Sequence, residues 1–160
     1  MDTEKQLITL EKLAKDIIEQ GKEINPMIVL FTHNEVIPII VGWKSREEKY
    51  AMISAVAKIA KRKRATGCSF ISEMWFAMPD KEEKNPEDTL VSERADRREG
   101  VMISVKEASG KEITKAFEIE YKEGARNLKK VDLFRSKDKD TQTKNYLLEE
   151  IYKAIDWNIN

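Results

Sequence analysis

Four residues of the 160-residue sequence have types and spacing that could support metal-dependent hydrolysis: Glu73, Asp96, Glu120 and Lys122. Glu120-x-Lys122 fits the acid-x-lysine pattern of a metal-dependent nuclease core, in which the carboxylate binds Mg²⁺ and the lysine positions the attacking water. An earlier acid is needed, and Glu73 or Asp96 would have to provide it. An alternating strand places Glu120 and Lys122 on its outward face, so a solvated strand face is the competing interpretation.

Glu73 lies in a stretch that is otherwise largely apolar, where a carboxylate is costly to bury unless it is paired. Three arginines between this strand and the next are its natural partners: Arg94, Arg97 and Arg98. In one hypothesis, Glu73 forms a site with Asp96 and Glu99 that holds a metal or a substrate. In the competing hypothesis, which we favour, Glu73 forms an ion pair or accepts backbone hydrogen bonds that pin the long connection between the strands.

Two basic clusters make nucleic-acid binding an alternative function. Residues 58–64 contain five bases and no acid, and residues 126–139 contain six bases and two acids. If the two clusters meet in space, they form a patch that can track phosphates. The lysines that we expect to contribute are Lys61, Lys63, Lys129 and Lys130. Cations at the end of a helix also complement the helix dipole, which is their ordinary role.

Other chemistries have little support in the sequence. His33 is the only histidine and falls in a predicted turn, where an exposed residue is the simplest interpretation. Cys68 is the only cysteine, so no intrachain disulfide can form, and we expect a buried thiol. None of the six glycines has the spacing of a GxGxxG or GxxxxGK[ST] phosphate loop. We therefore expect neither a cofactor nor a metal.

The elements that would position these residues follow from hydrophobic periodicity. The predicted order is α-β-β-α-β-β-β-α, an α+β fold with an antiparallel or mixed β-sheet of about five strands and two to three packed helices. The predicted strands cover 27–32, 36–43, 68–78, 100–106 and 113–121. Ser45 with Glu48 forms a capping box for the second helix, which finishes in the bases of residues 58–64, and the glycine of Thr66-Gly67 suits its C-terminal cap. The segment 124–139 is basic and irregular.

Three further features of the sequence bear on this arrangement. The first two strands are apolar at nearly every position, as in strands buried on both faces. Pro38 cannot donate to a strand ladder, so the second strand lies at an edge or carries a bulge. Residues 79–99 form a long charged connection with eight acids and five bases. Connections of this length are mobile or functional in most proteins.

Length and composition limit the function further. A chain of this length is expected to form a single domain, 1–160. Its 29 basic and 29 acidic residues cancel, which excludes a uniformly basic nucleic-acid binder. The N-terminus has no signal-peptide pattern, and the apolar stretches are too short to span a membrane. With a single thiol, these features predict a cytoplasmic protein without membrane contact.

The strand Ser72-Glu73-Met74-Trp75, the charged connection, the segment Asp96-Arg97-Arg98-Glu99 and the following hairpin occur in this order. This arrangement resembles a family of small uncharacterised prokaryotic and phage proteins with a Ser-Glu-x-Trp strand and a downstream Asp-Arg-x-Glu segment. The resemblance covers roughly residues 27–121, and Met74 stands where the family usually has alanine. It implies a shared organisation and a prokaryotic or viral source, but it supplies no activity.

The sequence as a whole favours a non-enzymatic domain that binds a protein partner or assembles with itself. Trp75 and the 79–99 connection are the contacts that we expect, with Arg94, Arg97 and Arg98 beside them. Trp43 and Trp157 are also expected to be exposed, and exposed tryptophans are compatible with a protein interface.

Overall fold

The computed structural model describes residues 2–76, 97–131, 146–155 and 157. Within these ranges, the helices are α1 (Thr3–Glu19), α2 (Arg46–Lys63) and α3 (Tyr146–Ala154). The strands are β1 (Met27–Phe31), β2 (Val36–Ile40), β3 (Gly67–Phe76), β4 (Arg98–Glu107), β5 (Glu112–Lys122) and β6 (Ala125–Val131). The predicted α+β class is confirmed, with six strands rather than about five. Most of the predicted 79–99 connection, up to residue 96, lies outside the described residues.

The six strands form one sheet in the order β2-β1-β3-β4-β5-β6. Every pairing is antiparallel, which decides between the antiparallel and mixed sheets left open by the sequence. α2 connects β2 to β3 and therefore passes over β1, which pairs with both strands. The sheet is thus a continuous ladder whose two edges are β2 and β6.

The apolar core lies on both faces of this sheet. Val29 and Phe31 of β1 face α1, and they belong to a buried cluster with Leu10 of that helix. Ile28 and Leu30, the alternate residues of the same strand, belong to a second buried cluster that includes residues of α2 and α3. The period of two in a strand sends successive side chains to opposite faces. The sheet is therefore sandwiched between α1 on one face and α2 with α3 on the other.

The predicted start of α2 is confirmed by its capping contacts. The Ser45 hydroxyl oxygen accepts a hydrogen bond from the Glu48 backbone N–H at 3.1 Å. The end of α2 differs from the prediction, because Arg64 takes the left-handed conformation of the C-cap with φ of 55°. Gly67 is the first residue of β3 instead.

β6 occupies part of the segment that the sequence predicted to be irregular. Glu123 and Gly124 both have positive φ, 53° and 80°, and they connect the paired residues Lys122 and Ala125. A two-residue loop with positive φ at both positions is the type I′ turn that matches the twist of a β-hairpin. Polar residues dominate β6 because it is an edge strand, which explains why hydrophobic alternation did not reveal it.

β2 is the opposite edge of the sheet, which is one of the two alternatives that Pro38 left open. Two hydrogen bonds flank the β1–β2 pairing, from Thr32 N–H to Glu35 O and from Val41 N–H to Pro26 O. Hydrogen bonds alternate along an antiparallel pair, so the Pro38 nitrogen lies on the side of β2 that faces away from β1. The missing N–H of Pro38 therefore removes no hydrogen bond between the two strands. The prediction of burial on both faces is wrong for β2, since Val36 and Ile40 are exposed. It holds for β1, where four of the five residues are buried.

The buried side chain of Lys106 links α3 to the sheet. Its ammonium group forms ion pairs with Glu112, at 3.3 Å, and with Glu149 of α3. It also lies 4.5 Å from the centre of the Tyr152 ring, in cation–π geometry. Burial lowers the pKa of Lys106, but its hydrogen bonds to Glu149 and Glu112 outweigh burial and leave the pKa raised.

Replacing Lys106 with methionine should destabilise the protein by about 3 kcal/mol, because Glu112 and Glu149 then lose the buried cation that lies between them. Urea denaturation measures this loss. Because the pKa of Lys106 is raised on folding, its contribution to the free energy of unfolding is fully present below the unfolded pKa of about 10.4. This contribution is lost only as the pH rises through the higher pKa of the folded protein. The stability difference from wild type should therefore stay constant near neutral pH and shrink in strong alkali.

Lys122→Met is the matched control, because Lys122 is well exposed and pairs with Glu120 at 3.7 Å. It should cost less than about 0.5 kcal/mol. Equal losses for the two variants would contradict the role assigned to Lys106.

Cys68 should be inert to alkylation in the folded protein. Burial raises the pKa of its thiol to about 12, and the thiolate is the reactive form. Iodoacetamide at pH 8 should leave the native protein unlabelled in a mass spectrum and label the guanidinium-unfolded protein completely. Rapid labelling of the native protein would show that Cys68 does not lie in the core as described.

Candidate functional site

Glu73, Glu99, Tyr121 and Arg126 form a polar group, here called the Glu73 cluster, on the α1 face of the sheet. Arg126 of β6 reaches Glu73 of β3 across the two strands between them, with 3.4 Å from Nη2 to Oε1. The same nitrogen lies 3.9 Å from Oε2 of Glu99. The Arg126 side chain is only 15% exposed, so the pairing neutralises a cation that is mostly removed from water.

The Glu73 cluster also holds the segment between α1 and β1. The backbone N–H of Ile24 donates to Oε1 of Glu73 at 2.9 Å. Nη1 of Arg126 donates to the backbone carbonyl of Lys22 at 3.1 Å. Two side chains of the sheet therefore satisfy backbone groups of a connecting segment, which fixes its path after α1 ends.

Tyr121 completes the cluster on its exposed side. Its hydroxyl group donates to Oε2 of Glu99 at 2.6 Å. This hydrogen bond to a carboxylate raises the pKa of Tyr121. The phenol is therefore a fixed hydrogen-bond donor at neutral pH.

An exposed aromatic surface adjoins the cluster, and we call it the Trp75 patch, made of Trp75, Arg97, Glu99 and Tyr121. Trp75 is 46% exposed and Tyr121 is 62% exposed. The guanidinium carbon of Arg97 lies 4.7 Å from the centre of the Trp75 ring, within the range of a cation–π interaction. Trp75 and Arg97, which the sequence predicted as binding residues, are thus brought together at the surface.

The arrangement required by the nuclease hypothesis is contradicted by the sheet register. Glu73 pairs with Val101, and Val101 pairs with Phe117, so these three residues share the α1 face. Glu120 lies three positions after Phe117 and faces the other way. Its carboxylate pairs with Lys122, at 3.7 Å, and with Lys129, at 3.4 Å. Glu73 and Glu120 therefore cannot bind one metal ion, and Asp96 lies outside the described residues.

The described part of the second basic cluster, residues 126–131, lies far from the first cluster. α2 ends beside Gly67, at the start of β3. Lys129 aligns with Met74, near the other end of β3, through successive pairings with Glu118 and Gly100. Gly67 and Met74 are separated by about 23 Å along β3, and the three strand spacings from β3 to β6 add about 14 Å across the sheet. A continuous patch from both clusters is therefore excluded for the described residues.

Five other predicted binding residues are Arg94, Arg98, Lys61, Lys63 and Lys130. Arg98 pairs with Glu118 at 3.5 Å rather than with Glu73. Lys63 pairs with Glu35 at 3.0 Å, and Lys61 is exposed on α2. Arg94 and the side chain of Lys130 lie outside the described residues.

The tryptophans beyond the patch differ from each other. Trp43 is exposed, as expected. Trp157 was expected to be exposed as well, but it is partly buried against the core cluster of α2 and α3. Its indole N–H donates to the Tyr152 carbonyl at 3.0 Å.

Arg126 is the residue of the cluster that the sequence analysis missed as a partner of Glu73. The sequence pattern places it only as the first base of the 126–139 cluster. The Glu123-Gly124 pair was the available signal, because a type I′ turn there pairs Tyr121 with Arg126. The structural hypothesis for Glu73, an ion pair with backbone hydrogen bonds, describes what the structure contains, although it pins the α1–β1 segment instead of the later connection.

Two further observations concern metals and membranes. Within the described ranges, no group of three or more histidine, cysteine or acidic side chains is placed to hold a metal ion. In the same part of the chain, no helix has the length and apolar character needed to cross a membrane.

Together, the fold and the cluster define an α+β protein with a six-stranded antiparallel sheet between helices and an arginine bridge across four of its strands. Residues 1–150 match the family model described as Bacteriophage lambda protein ea47. The chain therefore belongs to this family, which agrees with the phage resemblance noted in the sequence. No curated protein and no solved structure matches the chain.

Glu73→Ala should destabilise the protein by about 3 kcal/mol, because the mostly buried Arg126 loses its nearer counter-ion and Ile24 N–H loses its acceptor. Glu73→Gln keeps an oxygen acceptor and should cost clearly less. Urea denaturation gives both values, and amide exchange at Ile24 should accelerate only in the alanine variant. Glu19→Ala is the control, since Glu19 forms an exposed pair with Lys15 at 3.8 Å. A loss below about 0.5 kcal/mol for Glu73→Ala would refute the anchoring role.

Proposed function

We propose that this chain is a non-enzymatic binding domain and that two copies associate through the Trp75 patch. The observation that carries the proposal is the pair of exposed aromatic side chains, Trp75 and Tyr121, held in place by charged neighbours. Arg97 lies over the Trp75 ring at 4.7 Å. Glu99 accepts the Tyr121 hydroxyl hydrogen bond at 2.6 Å.

The composition of the patch supports a role in protein binding. Tryptophan, tyrosine and arginine are the residue types that contribute most to interface energies. An aromatic side chain that is already held in one orientation loses little conformational entropy when it binds. Single exposed apolar residues are common on protein surfaces, but here the ordering of two aromatics by Arg97 and Glu99 needs an explanation. Binding provides one.

The charges of the patch favour a second copy of the chain as the partner. The patch carries a cation, Arg97, and a carboxylate, Glu99. In a two-fold symmetric contact the same patch is used on both subunits, so each patch must complement itself. Arg97 of one copy can then face Glu99 of the other, and the aromatics pack between them. A typical interface buries about 800 Å² on each partner, so the four residues would form its centre only.

Trp75→Ala combined with Tyr121→Ala should weaken self-association at least tenfold, because both central aromatic contacts are lost. Sedimentation velocity over a range of protein concentrations measures the dissociation constant. Wild type should show a concentration-dependent dimer, and the double variant should remain monomeric over the same range.

Tyr50→Ala is the matched control. Tyr50 is 48% exposed, and the guanidinium carbon of Arg46 lies 5.6 Å from its ring centre. It thus resembles Trp75 in exposure and in its arginine neighbour, but it lies on α2. A monomeric wild type at every concentration would overturn the proposed self-association, and so would an equal loss in the Tyr50 variant.

A further inference from the structure

A cavity lies at the end of the sheet opposite the Trp75 patch, where four distant parts of the sequence meet. Its volume is about 430 Å³, and its described lining is His33, Arg64, Ala65, Thr66, Ala108 and Trp157. His33 belongs to the turn between β1 and β2, Arg64 caps α2, and Trp157 follows α3. The volume falls within the usual range of small-ligand pockets.

One wall of the cavity is an aromatic ring with a fixed position. The rings of Trp157 and Tyr152 have centroids 5.4 Å apart and are tilted by 32°. The indole N–H donates to the Tyr152 carbonyl at 3.0 Å, and the Tyr152 hydroxyl donates to the Ala108 carbonyl at 2.9 Å. Trp157 is therefore held by two contacts while part of it lines the cavity.

The rim of the cavity is cationic. Arg64 is the last of the five bases in residues 58–64, a segment without an acid, and its side chain is exposed. Glu35 lies near this end of α2 and is paired with Lys63 at 3.0 Å. None of the six described lining residues is acidic. An anion at the rim would thus meet Arg64, and Lys61 lies one helical turn before it.

We propose that this cavity binds single-stranded nucleic acid, with one unstacked base against Trp157 and its phosphate at Arg64. An aromatic wall beside cations is the arrangement that binds single strands without sequence preference. Bases in a duplex are stacked on each other and cannot reach such a wall. The cations extend about 9 Å along α2 from Arg64 to Lys58, so a strand meets more of them than a mononucleotide does. This mode of binding needs only the basic cluster of residues 58–64 and not the cluster of residues 126–139.

Fluorescence anisotropy with a labelled 12-nucleotide oligothymidylate at 50 mM salt tests the proposal. Lys61→Glu with Arg64→Glu should weaken binding at least tenfold, because two phosphate contacts become repulsive. Lys122→Glu with Lys129→Glu makes the same charge change at the distant edge of the sheet and should weaken binding less than twofold. Since each contact to a single strand contributes about 0.7 to the salt slope, the first variant should also lower that slope by about 1.4.

Trp157→Leu tests the stacking wall separately and should weaken binding at least fivefold, whereas Trp43→Leu should leave it unchanged. Circular dichroism and protection of Cys68 from alkylation report whether each variant is folded, and the charge variants decide the case if Trp157→Leu unfolds. The proposal is overturned if wild type does not bind the strand or if both charge variants lose affinity equally. A duplex that binds as tightly as the single strand overturns it too, as does thymidine monophosphate competing as well as the strand.

Discussion

One end of this fold depends on the pairing of the mostly buried guanidinium of Arg126. A cation with 15% of its side chain exposed must be paired, and Glu73 and Glu99 are its described counter-ions. To bring Arg126 to Glu73, the four strands from β3 to β6 must hold their register. The same two side chains bind backbone groups at Lys22 and Ile24. One ion pair therefore couples the sheet edge, the sheet centre and the exit from α1.

The other end of the sheet depends on a different buried cation. Lys106 joins β4 to α3 through Glu149 and supports Tyr152, against which Trp157 packs. The proposed self-association surface and the proposed strand-binding cavity thus lie at opposite ends of one sheet, and each adjoins its own charged anchor. This separation allows the two proposed activities to be removed independently by substitution.

Local signals explain how much of the fold could be predicted. The Ser45 cap of α2 and the alternation in β4 and β5 depend on neighbouring residues, so the sequence reveals them directly. Pro38 likewise limited β2 to an edge strand or a bulged strand, because a missing N–H is tolerated only in such places. β6 has no such hydrophobic signal, since an edge strand with a solvated face carries polar residues. The turn at Glu123 and Gly124 was its only marker.

The site was harder to predict because it depends on register across several strands. The need for a partner at Glu73 followed from the cost of burying a carboxylate. The identity of that partner did not follow, because Arg97 and Arg98 are near in sequence whereas Arg126 is near only in the folded sheet. The same limit applies to Glu120, whose face relative to Glu73 is defined only by the pairings through β4 and β5.

A double-mutant cycle measures whether Arg126 and Glu73 depend on each other, with Glu73→Ala, Arg126→Ala and the double variant compared by urea denaturation. We expect a coupling energy of at least about 1 kcal/mol between the two residues, because each partly buried charge is paired with the other. Free energies that add to within about 0.3 kcal/mol would show that the two side chains act independently. That result would contradict the role of the Arg126–Glu73 pair in joining the sheet to the exit from α1.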